Sequence, residues 1–305
     1  MSLMEPHDLS PRYNELASSI LGLVHDHRSK GEWEEAVHLL EHGTKILRDY
    51  PKSKAMLLAI YAELLWKRGD IQRAENILQE KPYVDPKTLS DILYEFAEVH
   101  YILKYFMYRD TDQDPLTLHE KALSLRREAG YLEGVSDSLS RVGTMYEHQG
   151  DYEKAQPYYL EGIEVAESIG YTAGLIRPYT HMAAYQRELG NHDESYRLYS
   201  ESVRLSEEVG DESVTMFSLA NMAQAEYAAS GDLQQALSYD LRALVIAEKT
   251  GFILAHARVH LGIALLYMQA EDNEKAKSHF NKVIEVAEAA GYSYFTKPAQ
   301  DYIKN

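Results

Sequence analysis

The residues with the spacing of a metal-dependent hydrolase are His38-Leu39-Leu40-Glu41-His42. Two histidines four apart on a helix can share a zinc ion, with a glutamate between them as general base. Such a centre also needs a third protein ligand and a shaped, water-excluding pocket. Here Ala36, Leu40 and Gly43 take the inward side of the expected helix, which leaves His38, Glu41 and His42 pointing to solvent. The expectation is surface histidines and no metal, with zinc hydrolysis the least favoured function. His256 and His260 repeat the spacing and read as solvated. Nucleotide-binding G-x-x-x-x-G-K-[ST] and G-x-G-x-x-G signatures and the hydrolase G-x-S-x-G elbow are missing, so no catalytic residue and no cofactor is assigned. With Cys 0 there is no disulfide framework, thiolate zinc site or cysteine nucleophile. Lys+Arg 31 against Asp+Glu 48 gives a formal net charge of −17, which repels nucleic-acid phosphates, and no basic run exceeds a pair such as Arg126-Arg127.

What remains is chemistry of recognition. Tyr94, Tyr101 and Tyr108 are spaced by seven, with Tyr105 and Lys104 beside them, on a helix expected from about Pro86 to Tyr108. Tyrosine offers a large amphipathic area at low entropy cost, which suits a binding surface, although a tyrosine stripe at helical spacing also suits core packing.

The elements that hold these residues follow from a repeat. Gly130, Gly170, Gly210, Gly251 and Gly291 recur at steps of 40 or 41 residues. Gly150, Gly190, Gly231 and Glu271 interleave with them, in the segments GDYEKA, GNHDES, GDLQQA and EDNEKA. Each unit is thus two segments with a break after each. Leu160, Ile163, Val165 and Ala166 lie on a helix-spaced stripe, as do Leu198, Val203 and Leu205 in the next unit, so both segments read as helices. A glycine ends one helix in the left-handed conformation, and Asp151, Asn191, Asp232 or Asp272 caps the next. The aromatics that follow the later glycines (Tyr131, Tyr171, Phe252, Tyr292) are expected to pack back on the helix end. Gly31-Glu32-Trp33 and Gly69-Asp70-Ile71 mark two further, drifted turns. Residues 1–11 read as a flexible N-terminus with an added leader at Met1-Ser2-Leu3. Residues 12–80 read as two degenerate pairs, and 81–130 as an irregular pair with a bend at Lys81-Pro82-Tyr83-Val84-Asp85-Pro86. Residues 131–291 read as four regular units, and 292–305 as a capping segment. Tyr13, Leu16, Ile20 and Leu21 would close one end, and Tyr294, Phe295, Tyr302 and Ile303 the other. These ends could alternatively pair two copies.

Gly143, Tyr146, Gly150, Asp151, Tyr152, Ala155 and Tyr159, with Ala62, Gly69, Asp70 and Ala74 and with Gly231, Asp232 and Ala236 as counterparts, resemble the tetratricopeptide repeat. The 40-residue spacing looks like the longer-helix subclass. The resemblance implies an all-α, right-handed α-solenoid superhelix of stacked antiparallel helix pairs, with the first helix of each pair on the concave side. Over the four regular units the first helices carry a net charge of −2 and the second helices −6, so the acid leans outward. The implied concave face carries Arg141, Thr144, Arg177, Thr180, His181, Asn221, Gln224 and Arg258. In relatives, an Asn or Arg at the Asn221-type position hydrogen-bonds a peptide backbone, and amide and guanidinium groups suit an extended chain. The expected function is a non-enzymatic, cytoplasmic scaffold that binds a protein or peptide segment, with no nucleic acid and no membrane. A peptide-responsive sensor is the alternative.

Overall fold

The computed structural model describes residues 10–79 and 85–304. Residues 1–9 of the expected N-terminal segment, and Lys81 to Val84 of the expected bend, lie outside these. The described residues form helices and no strand. They pair as α1 (Ser10–Ser29) with α2 (Trp33–Ile46), α3 (Pro51–Lys67) with α4 (Ile71–Leu78), and α5 (Pro86–Tyr105) with α6 (Pro115–Glu128). The regular region follows: α7 (Leu132–His148) with α8 (Tyr152–Ile169), α9 (Thr172–Glu188) with α10 (His192–Val209), α11 (Glu212–Ser230) with α12 (Leu233–Thr250), and α13 (Ile253–Gln269) with α14 (Asn273–Glu288). Helix α15 (Ser293–Lys304) packs on α14, where Tyr302 meets Phe280 and donates to Asn273 Oδ1 at 3.0 Å. The chain is an all-α solenoid. No described helix is long and apolar enough to cross a membrane.

The turns work as the sequence suggests, with instructive exceptions. Asp151 Oδ1 accepts from Lys154 N at 3.1 Å, and Asp232 Oδ1 from Gln235 N at 3.0 Å, which satisfies one otherwise orphaned donor at each helix start. Asn191 does not cap: its amide donates to Gln186 Oε1 at 2.8 Å instead. Glu271 takes the left-handed conformation (φ 60) without being glycine, and so does Tyr108 (φ 51) in the irregular turn after α5. Among the aromatics after the later glycines, Tyr131 packs back on the end of the preceding helix, where the Arg126 guanidinium lies 5.7 Å from its ring centroid. The Tyr131 and Tyr171 rings lie over the first turn of the following helix, where Gly134 and Gly174 leave room; an added Cβ would stand 2.6 Å from either ring.

Close approach of paired helices needs small residues, and Ala62, Ala155, Ala183 and Ala236 are all buried. A Cβ on Gly143 would come within 2.6 Å of Tyr159. Odd-numbered helices also pack on the next odd one, α1 on α3, α7 on α9, α9 on α11 and α11 on α13, while no even-numbered helix packs comparably on its even neighbour. The ribbon therefore curves toward its odd helices, which form the concave wall. Helices α5 and α7 are the exception on that wall: large side chains, not backbone contact, bridge them.

Curvature carries the C-terminal units round to the N-terminal ones. Trp66 at the end of α3 packs edge-on against Phe252 at the start of α13 (5.5 Å between centroids). Phe106, just past α5, stacks on Phe295 and accepts a backbone hydrogen bond from Tyr294 N at 3.0 Å. Tyr294 and Phe295, expected to cover a free end of the array, lie instead on this internal seam, with Phe295 fully buried.

Candidate functional site

The concave wall of α5, α7, α9, α11 and α13 holds every residue singled out as a groove contact, and most of them already have partners within the chain. Arg141 pairs with Glu98 of α5 and donates from Nε to Tyr94 OH at 3.3 Å. Burial alone would raise Glu98, but Arg141, with His119 at 3.3 Å, outweighs it and holds the carboxyl down at about 2. Burial keeps His119 below its usual range and thus neutral. Tyr101 meets His148 Nε2 at 2.7 Å, and burial, reinforced by the charge of His181, pushes His148 down to about 4. Tyr94 and Tyr101 therefore belong to a buried polar network between α5 and α7, and do not form one open aromatic surface with Tyr105 and Tyr108. Only Tyr108 of that stripe is largely exposed, at 61%. Lys104 is exposed and pairs with Asp114 at 3.2 Å.

Along the rest of the wall, Thr144 is buried, donates to Ser140 O at 2.9 Å and meets His181 Nε2 at 3.2 Å. The other ring nitrogen of His181 meets Glu147 at 2.8 Å. Thr180 donates to Ile176 O and joins Ser202 and Ser218 in a hydroxyl chain with 2.7 and 2.8 Å links, which ties α9 to α10 and α11. Half-buried Asn221 and Arg258 bond to each other across α11 and α13, and Gln224 donates to Gly262 O at 3.1 Å.

Arg177 differs from all of these. It is half-buried on α9 and makes no hydrogen bond or ion pair among the described residues. Its charge still reaches Glu98 and Asp137. Burial pushes Asp137 up to about 6 even though Arg126, Arg177 and the Tyr171 hydroxyl oppose the shift. A guanidinium whose donors have no partner among the described residues, on a concave wall, is ready for a carboxylate or carbonyl.

The remaining sequence candidates are placed as follows. His38 and His42 are exposed on α2, and His42 Nδ1 lies 2.8 Å from His38 O. Glu41 is taken by Lys45 at 2.8 Å and Arg73 at 3.1 Å, whose hydrogen bonds bring it down to about 2, so it is a poor base. His260 is not solvated: it is 7% exposed, with Nδ1 3.1 Å from His279 Nδ1, because it faces α14. No cluster of three or more His, Cys, Asp or Glu suited to a metal occurs among the described residues.

Two residues were missed. Glu98 shares a helix face with Tyr94 and Tyr101, four and three residues away, and that spacing was visible. Asp240 is fully buried with both carboxyl oxygens unpaired, and burial pushes it well above the usual carboxylate range. Its signal was its place in the repeat: nine residues after the turn the other regular units carry Tyr159, Tyr199 and Phe280.

Tetratricopeptide-repeat models match residues 175–249, 136–169 and 257–289. No curated protein matches the chain in sequence. Among solved structures, a Rap protein complexed with Competence and Sporulation Factor superposes with a TM-score of 0.65 at 12% identity, covering 99% of this chain and 89% of that one. NprR in complex with its cognate peptide NprX gives 0.62 at 18% identity, covering 89% and 82%. The apo form of RapI gives 0.61 at 10% identity, covering 94% and 98%. At such identities the likeness is one of fold, and it agrees with the solenoid described above. The chain carries tetratricopeptide repeats over residues 136–169, 175–249 and 257–289.

Proposed function

We propose that the chain is a non-enzymatic, cytoplasmic scaffold that holds an extended peptide or partner segment against the concave wall of α7, α9, α11 and α13. The observation that carries this reading is Arg177, a half-buried guanidinium without a partner among the described residues, on the wall where Asn221, Gln224 and Arg258 present further amide and guanidinium groups. An extended segment has unpaired backbone carbonyls and amides, and such side chains can satisfy them along its length. Arg141 and Thr144 serve this reading indirectly: they hold the wall in shape through internal bonds. The 40-residue spacing fits the longer-helix subclass.

The test begins with the tagged chain purified from its native host and mass spectrometry of what remains bound. Affinity for the captured segment is then compared between wild type, Arg177→Ala and Asn221→Ala by titration calorimetry. A charge-assisted contact is worth about 1.5–3 kcal/mol, so Arg177→Ala should weaken binding roughly 10- to 100-fold with helix content unchanged. Unaltered affinity in both variants would remove the groove assignment. A peptide-responsive sensor is the second reading, favoured by whole-chain likeness to a Rap protein and to NprR, each solved with a bound factor or peptide. It expects the dimensions of the chain in solution scattering to change when the captured segment binds, and identical profiles would count against it.

A further inference from the structure

Three turns of the N-terminal pairs meet the C-terminal units edge to edge. Most left-handed turn glycines stand in open space: Gly130, Gly150, Gly170, Gly190, Gly210, Gly231 and Gly251 would give an added Cβ no neighbour within 4 Å. Gly31, Gly69 and Gly291 are different. A Cβ on Gly31 would meet Lys249 at 3.5 Å, one on Gly69 would meet Ile253 at 3.2 Å and Ala290 at 3.3 Å, and one on Gly291 would meet Met107 at 3.0 Å. The turns after α1, α3 and α5 lie on one edge of the helical ribbon, and those after α12 and α14 lie on the opposite edge. One superhelical turn thus closes with a pitch of one helix length, about 25 Å for a 17-residue helix.

The seam is thin compared with the array. Neighbouring helices pack along their lengths, whereas no helix of the first three pairs packs comparably along α12, α13, α14 or α15. Helix ends and turns make the contact: Trp66 and Lys67 on Phe252, and Phe106 and Tyr108 on Tyr294. Two of these rings, Tyr108 and Tyr294, keep 61% and 44% of their surface in water. Tyr108 is also held in the left-handed region (φ 51), a conformation that costs a bulky side chain energy and persists only while its surroundings impose it. Closure therefore rests on few contacts and stores strain, while the helix pairs on either side rest on extensive burial.

We infer that the seam is a latch: it opens as a unit while the helix pairs stay folded, and its opening converts a closed superhelical turn into an open trough. This goes beyond the groove assignment and does not depend on it, because it concerns the free chain.

The test uses the absence of native cysteine. Spin labels on Lys30→Cys and Glu248→Cys, both exposed and beside the Gly31–Lys249 contact, report the distance across the seam, and circular dichroism reports helix content, through one urea titration. A latch requires a longer-distance population at urea concentrations that leave helicity intact. Coincidence of the two transitions, or a long distance already without urea, would overturn it. Gly69→Gln and Gly150→Gln then separate the seam from turn strain. Both force a side chain into a left-handed turn (φ 82 and φ 78), but only the first drives it into Ile253 and Ala290. Gly69→Gln should open the seam at lower urea than Gly150→Gln; equal midpoints would also overturn the proposal. Neither readout needs a bound segment, so a failed groove assignment and a failed latch remain distinguishable.

Discussion

At the scale of the residue, the interior holds two opposite solutions to a buried carboxylate. Glu98 is paired with Arg141, and Arg141→Met would leave that charge buried without its partner. Loss of one member of a buried pair costs about 3–5 kcal/mol, so the urea midpoint should fall accordingly, and Arg141→Met with Glu98→Gln should recover much of it. Asp240 has no partner and stays protonated well above the usual carboxylate range. Its folded form binds the proton more tightly than the unfolded chain does, so stability declines as pH rises above about 4 and levels off once the folded group ionises. Melting temperatures between pH 4 and 8 should show this slope, and Asp240→Asn should flatten it; parallel profiles would contradict the assignment. The spacing of Glu98 beside Tyr94 and Tyr101, and the repeat position of Asp240, mark an inward face, but the partner that a buried charge meets is set by the helix opposite.

At the scale of the element, most boundaries were legible because they rest on local chemistry. Glycine in the left-handed region and aspartate bonded to an amide three residues on need nothing from the rest of the fold, and Gly150-Asp151 and Gly231-Asp232 behave accordingly. Where the glycine is missing the turn still forms, since packing on both sides imposes it. Glu271 shows this, and Glu271→Gly should stabilise the chain. The left-handed penalty of about 1–2 kcal/mol is relieved against an entropy cost of about 0.5–1, for a net gain of some 0.5–1 kcal/mol by urea denaturation. Gly150→Ala should move the midpoint the other way by a similar amount. The tyrosines of α5 were legible as a stripe but not as to their role. Tyr94 and Tyr101 turn inward because α5 and α7 stand apart, and this spacing is a property of the pair that neither helix encodes alone. Arg177, by contrast, lies on α9 without a hydrogen bond or ion pair among the described residues, and its role in the groove is what the Arg177→Ala titration tests.

At the scale of the whole molecule, the repeat made the architecture plain but concealed its closure. A periodic sequence specifies each interface between neighbours, while curvature accumulates over many units and was not visible in any of them. Trp66 and Phe252 meet across 186 residues of chain, so the seam should form last in folding, after the local pairs. In a Trp33→Phe background, Trp66 becomes the sole tryptophan and reports on closure directly. Deleting one regular unit, residues 171–210, preserves helix-on-helix stacking but rotates the two edges out of register, so Trp66 emission should shift to the red while helicity per residue holds. Unshifted emission would mean that closure tolerates a missing unit. An open-ended solenoid can lengthen or shorten by duplication or loss of a repeat at modest cost to the remainder. This one keeps count. Because its two edges meet after one turn, the number of units is tied to the geometry of closure. A change of residue inside a repeat leaves that count untouched, whereas gain or loss of a unit moves the two edges out of register.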